Sequence, residues 1–423
     1  MGNVDARDVQ DDFARELKAM GLLETEPVMD GKFHRCPVDG AKKGSLDGAY
    51  VGYLDGRPAG YIENHKSGAK SAWKFGFEPD VVAPGEREAR RLHVAELIAA
   101  REAKQVIDRE NVSAKAERMW ARLSKERPRE CPYLDAKGAD GHGLGFASDG
   151  GIFVPMRDTA GKLWSLQRIG PDGEKTFLKG GRKAGCFHVV GTVEDGKPFL
   201  IAEGYATAST VAALTGLPCV CAFDAGNIGP VAEAMIARHP KSFVCVMADN
   251  DRFCKEREDG TPFNPGVEFA TAAAGRLSMG VAVPSFAARD GNGTDYNDLA
   301  RTSGLNAARE QALEGIRAAM ERSYGQLRAK ASESSGTELS AVAIEPGKGP
   351  IFGTPVAFGY GMIAFRQGKD GVFLAKASRF ESLPERFKRQ RMSQGPDGRL
   401  HCAPAPARER AAVEPKALPE MAM

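Results

Sequence analysis

At 423 residues, with 42% hydrophobic and 27% charged residues, the chain is long enough for two or three domains with ordinary cores. Its 58 Lys and Arg against 56 Asp and Glu leave a formal charge of +2. That balance gives no overall nucleic-acid signature, though it can conceal a basic face opposite an acidic site. No run approaches the roughly twenty apolar residues that span a bilayer. Met1 is followed by polar and acidic residues rather than an apolar segment, so a cytoplasmic protein away from membranes is expected.

Residues 10–23 (QDDFARELKAMGLL) place Phe13, Leu17 and Met20 at helical spacing. Short alternating runs follow, and Asp55-Gly56 between two aromatic, β-rich stretches predicts a hairpin. Residues 1–78 therefore read as a small β-rich module. Residues 79–130 read as a charged helical connector, because 86–127 hold no Gly or Pro and are dense in Glu, Arg, Ala and Lys. A solvated spacer fits that pattern better than a template-binding helix. A basic β-rich subdomain spans 131–196. From 197 to 302, strands and helices alternate (198–202, 205–216, 218–223, 227–239, 242–248, 265–279, 281–286), which predicts an α/β parallel sheet covered by helices. A helix follows over 303–331. Residues 332–423 read as a linker to about 360, a hairpin (GMIAFRQ-GKDG-VFLAKAS), a basic stretch and a Pro/Ala-rich end whose last twenty residues should be disordered. The basic cluster Arg386, Lys388, Arg389 and Arg391 suits a solvated tail as well as a docking site.

The cysteines stand at 36, 131, 186, 219, 221, 245, 254 and 402, with no C-x₂-C pair, so no zinc is expected. Cys219, Cys221 and Cys245 read as small core residues. Only His34-Arg35-Cys36 resembles half a zinc site, and it lacks a second pair.

Carboxylates stand where polar chemistry gathers in such a sheet, at the carboxyl ends of strands. FLIA runs into Glu203-Gly204, FVCVMA into Asp249-Asn250-Asp251, and GTDYNDLA supplies Asp295 and Asp298. Each motif alone is weak, since acids often cap helices or end strands; their joint order at successive boundaries carries the weight. Hard oxygen ligands without neighbouring His or Cys suit Mg²⁺ or Mn²⁺ and phosphoryl-transfer chemistry. Glu203, Asp249 and Asp251 are the catalytic candidates, and with Asp295 and Asp298 they form the metal-ligand candidates. Glu203 reads equally as ligand or general base. Asn297 reads as an orienter, and Asp224 as a weaker candidate that also suits a helix cap. Upstream, Arg157, Arg168, Lys175, Lys179 and Arg182 have few acids beside them. They suggest a positive floor for template and nucleotide phosphates rather than a merely solubilising β surface. Trp164 reads as core.

These segments resemble the Toprim domain shared by topoisomerases, DnaG-type primases and some nucleases. The stretch GIFVPMRDTAGKLWSLQRIGPDGEKTFLKGGRKAGCFHVVG is similar to the basic subdomain that precedes Toprim in bacterial-type primases, with Pro155, Arg157, Asp158, Gly161, Arg168, Lys175, Lys179 and Gly180 on the pattern. Taken with YVGYLDGRPAGYIENHKSG and the D-x-N-D motif, the likeness over roughly residues 10–305 is to Toprim primases of conjugative plasmids and phages (TraC-type). It implies short RNA primers made on single-stranded DNA from ribonucleoside triphosphates, using Mg²⁺ or Mn²⁺, in plasmid or phage replication or conjugative transfer. It also implies a replicative helicase or conjugation machinery as partner. The alternatives are a Toprim-type nuclease and a non-catalytic DNA-binding accessory protein. The chain departs from cellular primases in lacking their zinc knuckle.

Overall fold

The computed structural model describes residues 5–40, 45–55, 58–76, 84–254, 261, 263–287, 291–341, 351–394 and 399–405. It divides into two compact units, 1–112 with 251–264, and 113–250 with 265–423.

In the first unit, α1 (Ala6–Ala19) starts at Asp5, whose side chain accepts from the Arg7 N–H, and it buries Val9, Phe13 and Leu17. Against them lies an antiparallel meander of β1 (His34–Cys36), β2 (Gly48–Tyr53), β3 (Ala59–Asn64) and β4 (Lys70–Lys74). Phe13 packs 5.9 Å from the Tyr50 ring and 4.7 Å from Trp73. Gly60 makes room for it, since a Cβ there would stand 2.5 Å from the Phe13 ring. Tyr53 pairs with Ala59 across the expected hairpin; Gly56 itself lies outside the described residues. His34 Nε2 lies 2.8 Å from Asp30 Oδ1, while Cys36 is buried in the sheet, its thiol pushed up to about 11 by burial.

The helix α2 (Pro84–Arg122) corrects one expectation. Instead of remaining a solvated spacer, its last turns bury Ser113 and Ala116 and pack on Phe153, Leu163 and Leu166. The Ser113 hydroxyl donates to the Leu163 carbonyl at 2.6 Å. After α3 (Pro132–Lys137), the strands β5 (Gly145–Phe146), β6 (Ile152–Arg157), β7 (Leu163–Ile169) and β8 (Lys175–Phe177) form an antiparallel sheet in chain order.

The central sheet follows: β9 (His188–Val190), β10 (Phe199–Ala202), α4 (Tyr205–Thr215), β11 (Cys219–Cys221), α5 (Ala225–Arg238), β12 (Val244–Met247), α6 (Pro265–Leu277), β13 (Gly280–Ala282), α7 (Tyr296–Ser303) and α8 (Leu305–Ser335). Its strand order is β13-β12-β10-β11-β9, parallel except for β9. That edge strand belongs here rather than with the preceding basic sheet. Alternate strand residues face alternate sides. Leu200, Ala202, Cys245 and Met247 meet α4, α7 and α8, while Phe199, Ile201, Val244 and Val246 meet α5 and α6. The result is a three-layer α/β domain.

Beyond α8, β14 (Ser340–Ala341), β15 (Ile351–Gly359), β16 (Met362–Gln367), β17 (Gly371–Lys376), β18 (Gln390–Gln394) and β19 (Leu400–Pro404) make a six-stranded sheet. The expected hairpin is β16–β17; the additional strand β15 stands in what read as linker. The β15–β16 turn sits on Ser242 and Phe243, where a Cβ on Gly361 would stand 2.6 Å from the Phe243 nitrogen. This sheet therefore docks at the amino end of β12. Residues 406–423, most of the predicted disordered end, lie outside the described residues. No helix among those described is long and apolar enough to cross a membrane.

Candidate active site

The apolar run of β10 ends in Glu203 and Gly204, and α4 begins at once. Gly204 is its N-cap and offers no side chain, so the first amides of α4 have no side-chain cap. Ala202 pairs with Met247 on one side and Cys221 on the other. Glu203 thus stands level with Ala248 and Ala222, with Asp249 one residue further along. Both carboxylates are half-buried. Their shared location has an electrostatic signature at Cys221, whose thiol is pushed up to about 12 chiefly by burial. The charge of Lys175 pulls that value down, and those of Glu203 and Asp249 push it up. Two acids and one lysine therefore share the carboxyl end of the sheet.

Lys175 arrives from the basic sheet. Its Nζ lies 3.7 Å from the position a Cβ on Gly204 would take, at the start of α4. Strand alternation explains why Lys175 reaches the site and Arg168 does not. Lys175 and Phe177 pair with the buried Ile169 and Gln167, whereas Arg168 pairs with Thr176 on the other face and bonds Asp149 at 2.8 Å. Asn227, 3% exposed, stitches the basic segment to the central sheet. Its side-chain NH₂ donates to the Cys186 and Ala222 carbonyls (3.0 and 2.7 Å), and its Oδ1 accepts from Gly185 N–H (2.9 Å). Asp224 caps α5 through the Asn227 N–H (3.0 Å) and is ion-paired with Lys183.

The third acidic motif is built differently. Asp295 is the N-cap of α7: one oxygen accepts from Asp298 N–H (2.7 Å), the other from the Thr207 hydroxyl of α4 (2.7 Å). Asp298 accepts from Thr294 N–H (3.2 Å) and pairs with Lys137 at 3.4 Å. Asn297, 1% exposed, donates to the Lys137 carbonyl (2.6 Å) and to Thr210 Oγ1 (2.7 Å). These residues bind α3, α4 and α7 together. Asn250 joins the same framework, its N–H donating to the Thr294 carbonyl (2.7 Å). The boundary between the two units falls after it. Asp251 belongs to the first unit, where its N–H donates to Asn264 Oδ1 at 3.0 Å.

Of the other basic candidates, Arg157 and Arg182 have partners of their own. Arg157 donates to the Gly161 carbonyl (2.8 Å) and lines a cleft of about 620 Å³ along β9, with Trp120, Arg238 and His239. Arg182 stands 3.9 Å from Asp158 and over the Trp164 ring, and Lys179 is exposed. Sequence reasoning overlooked Thr207, Asn227 and Phe177. Thr207 and Asn227 fall in first helical turns after motif acids, where Thr and Asn serve as polar ties. The signal for Phe177 is its i, i+2 relation to Lys175.

Among the described residues, no three His, Cys, Asp or Glu side chains form a ready-made metal cage. Mg²⁺ commonly takes only one or two carboxylates, its remaining positions going to water and substrate phosphates. Glu203 and Asp249 are hard oxygen donors, and Lys175 with the α4 amides stands where phosphate charge would gather. The residues present fit such an ion.

Residues 199–306 match the Toprim domain family. The chain is 39% identical over 290 residues to a DNA primase TraC of Escherichia coli, covering 66% of this chain and 26% of that protein. A second E. coli DNA primase TraC is 36% identical over 291 residues, covering 66% and 20%. The chain thus spans about a quarter or less of the curated relatives it matches. A structure of the DnaG primase catalytic domain bound to single-stranded DNA superposes with a TM-score of 0.35 at 14% identity, covering 54% of this chain and 90% of that one.

Proposed function

We propose that this chain, which carries a Toprim domain at residues 199–306 and is similar to TraC primases over 66% of its length, is a primase that joins ribonucleoside triphosphates on single-stranded DNA. The observation that carries the reading is the convergence of Glu203, Asp249, Lys175 and the uncapped start of α4 at one sheet end. A nuclease needs to manage one scissile phosphate, whereas a triphosphate brings extra charge that a lysine and a helix N-terminus are suited to hold.

In this reading, Lys175 and the first α4 amides bind the triphosphate and orient its α-phosphorus toward the 3′-hydroxyl of the preceding nucleotide. Glu203 and Asp249 would hold Mg²⁺ or Mn²⁺, which when bound offsets phosphate charge and makes the hydroxyl easier to deprotonate. In the same reading Glu203 serves as a ligand or as the base that receives the hydroxyl proton. The new bond forms between the 3′-oxygen and the α-phosphorus, and pyrophosphate leaves. Asp295, through Thr207, positions α4 and with it Glu203. The template is single-stranded DNA, in the setting of plasmid or phage replication or conjugative transfer.

Purified protein incubated with single-stranded DNA, ribonucleotides and Mg²⁺ or Mn²⁺ should yield short RNA and pyrophosphate only when template and nucleotides are both present. Template shortening without nucleotides, and no pyrophosphate when they are added, would instead mark a nuclease.

A further inference from the structure

Phe177 has no part in the chemistry described so far, yet its position is unusual. It ends β8 with 40% of its surface exposed, although most large apolar side chains of this unit are buried. Isolated exposed aromatics need no explanation by themselves. Here two neighbours, Phe223 and Lys183, hold the ring beside the proposed reaction centre. Its ring meets that of Phe223 at 6.4 Å and 79°, an edge-to-face contact. Lys183 Nζ stands 5.3 Å from its centroid and is itself tied to Asp224. Phe223 holds φ +73°, a left-handed backbone that is costly for a bulky residue and that clusters at functional sites.

The register of β8 relates this ring to the phosphate-binding lysine. Lys175 and Phe177 are two residues apart and share one face, about 7 Å apart along the strand. Lys175 lies over the junction of β10 and α4 at Gly204, and Phe177 over the junction of β11 and α5 at Phe223. β8 therefore crosses two neighbouring strand ends, with a cation above one and an aromatic ring above the other. That separation is of the order of the span from the α-phosphate to the base of a nucleotide.

We infer that Phe177 is the base-side subsite of the nucleotide site: it stacks on the nucleobase of the incoming nucleoside triphosphate whose phosphates lie on Lys175 and α4. The inference rests on the primase reading for the phosphate end and adds the base end. Stacking on an aromatic ring is tolerant of base identity, since every base has a π-face. Phe177 would thus contribute affinity for all four ribonucleotides without selecting among them.

The test compares binding of Mg-ATP, Mg-tripolyphosphate and a short oligothymidylate to the parent protein and to Phe177→Leu, Phe177→Tyr and Lys175→Ala. Leucine keeps an apolar contact with Phe223 and removes the ring; tyrosine keeps the ring. Phe177→Leu should weaken ATP about tenfold and leave tripolyphosphate unchanged. Phe177→Tyr should bind both as the parent does, and Lys175→Ala should weaken both. Parental ATP affinity in Phe177→Leu overturns the inference, as does an equal loss for tripolyphosphate, which would mark a purely structural ring. Loss confined to the oligonucleotide assigns the ring to the template and also overturns it. If Lys175→Ala leaves both ligands unchanged, or the parent binds neither, the phosphate end fails and the nucleotide-site reading falls with it.

Discussion

Glu203 and Asp249 on one side, and Asp295 and Asp298 on the other, look alike in the sequence: acidic residues at boundaries of the same domain. Their surroundings differ. The first pair stands at the ends of adjacent parallel strands, half-buried, beside a lysine and a helix whose N-cap is glycine. In the second pair, the carboxylates cap α7 and tie it to its neighbours through Thr207, two backbone N–H groups and Lys137. An acid that satisfies a helix N-terminus and a threonine hydroxyl is doing structural work, and an ion would have to compete for those oxygens. Position in a motif therefore does not by itself assign a role.

This contrast can be sharpened first by activity. Glu203→Gln and Asp249→Asn should lower primer synthesis by about a thousandfold or more, measured as labelled RNA on single-stranded DNA. Both variants should melt close to the parent, because each replacement is nearly isosteric and keeps a hydrogen-bonding group. Near-parental synthesis by either variant would remove that carboxylate from the chemistry.

A smaller effect concerns what supports α4 from below. The ring of Tyr205, its first residue, lies 5.6 Å from that of His188. Burial lowers the His188 pKa from 6.5 to about 4; a hydrogen bond to the His142 carbonyl opposes that shift and the charge of Arg157 adds to it. The folded value lies below the unfolded one, so between these values the unfolded chain takes up a proton that the folded chain excludes. Stability from this residue is present above pH 6.5 and is lost as pH falls toward 4, on the order of 3 kcal/mol in total. Denaturant unfolding at several pH values should show a flatter acid limb in His188→Gln than in the parent; identical limbs would contradict the assignment.

Asp295 supplies the smallest effect. Asp295→Ala removes a helix cap and the acceptor of Thr207, and should cost about 1 kcal/mol of unfolding free energy. Asp295→Asn keeps an oxygen acceptor and caps as well, so it should lie close to the parent. Thr207→Val removes the other partner and should cost a similar amount to Asp295→Ala. Equal destabilisation by Asn and Ala at position 295 would show that charge, rather than capping, matters there.

The central sheet was legible because its strands are uninterrupted apolar runs that end in acids, and burial on both faces leaves such a signature. β9 was not. Three residues, His188–Val190, pair with Cys219–Cys221 some thirty positions away, and no local pattern encodes an antiparallel edge strand joining a parallel sheet. β15 was obscured by Pro355, which demotes a run as a strand; the structure accommodates it next to a bulge. The acids were visible as types, but the sequence could not separate Asp249 from Asp295. The tie of Asp295 to α4 depends on Thr207, 88 positions away, supplying a hydroxyl. Arg168 and Lys175 likewise read as one basic set until strand register put them on opposite faces.

The most direct measurement of this division is Mn²⁺ binding in the presence of ATP, followed by loss of the free-ion electron paramagnetic resonance signal, in the parent, Asp249→Asn and Asp295→Asn. Glu203 and Asp249 are proposed to hold the ion, and Asp295, engaged as the α7 cap, is not. Asp249→Asn should therefore weaken Mn²⁺ binding by about tenfold or more, while Asp295→Asn keeps the parental affinity. A loss in Asp295→Asn as large as that in Asp249→Asn would contradict the account.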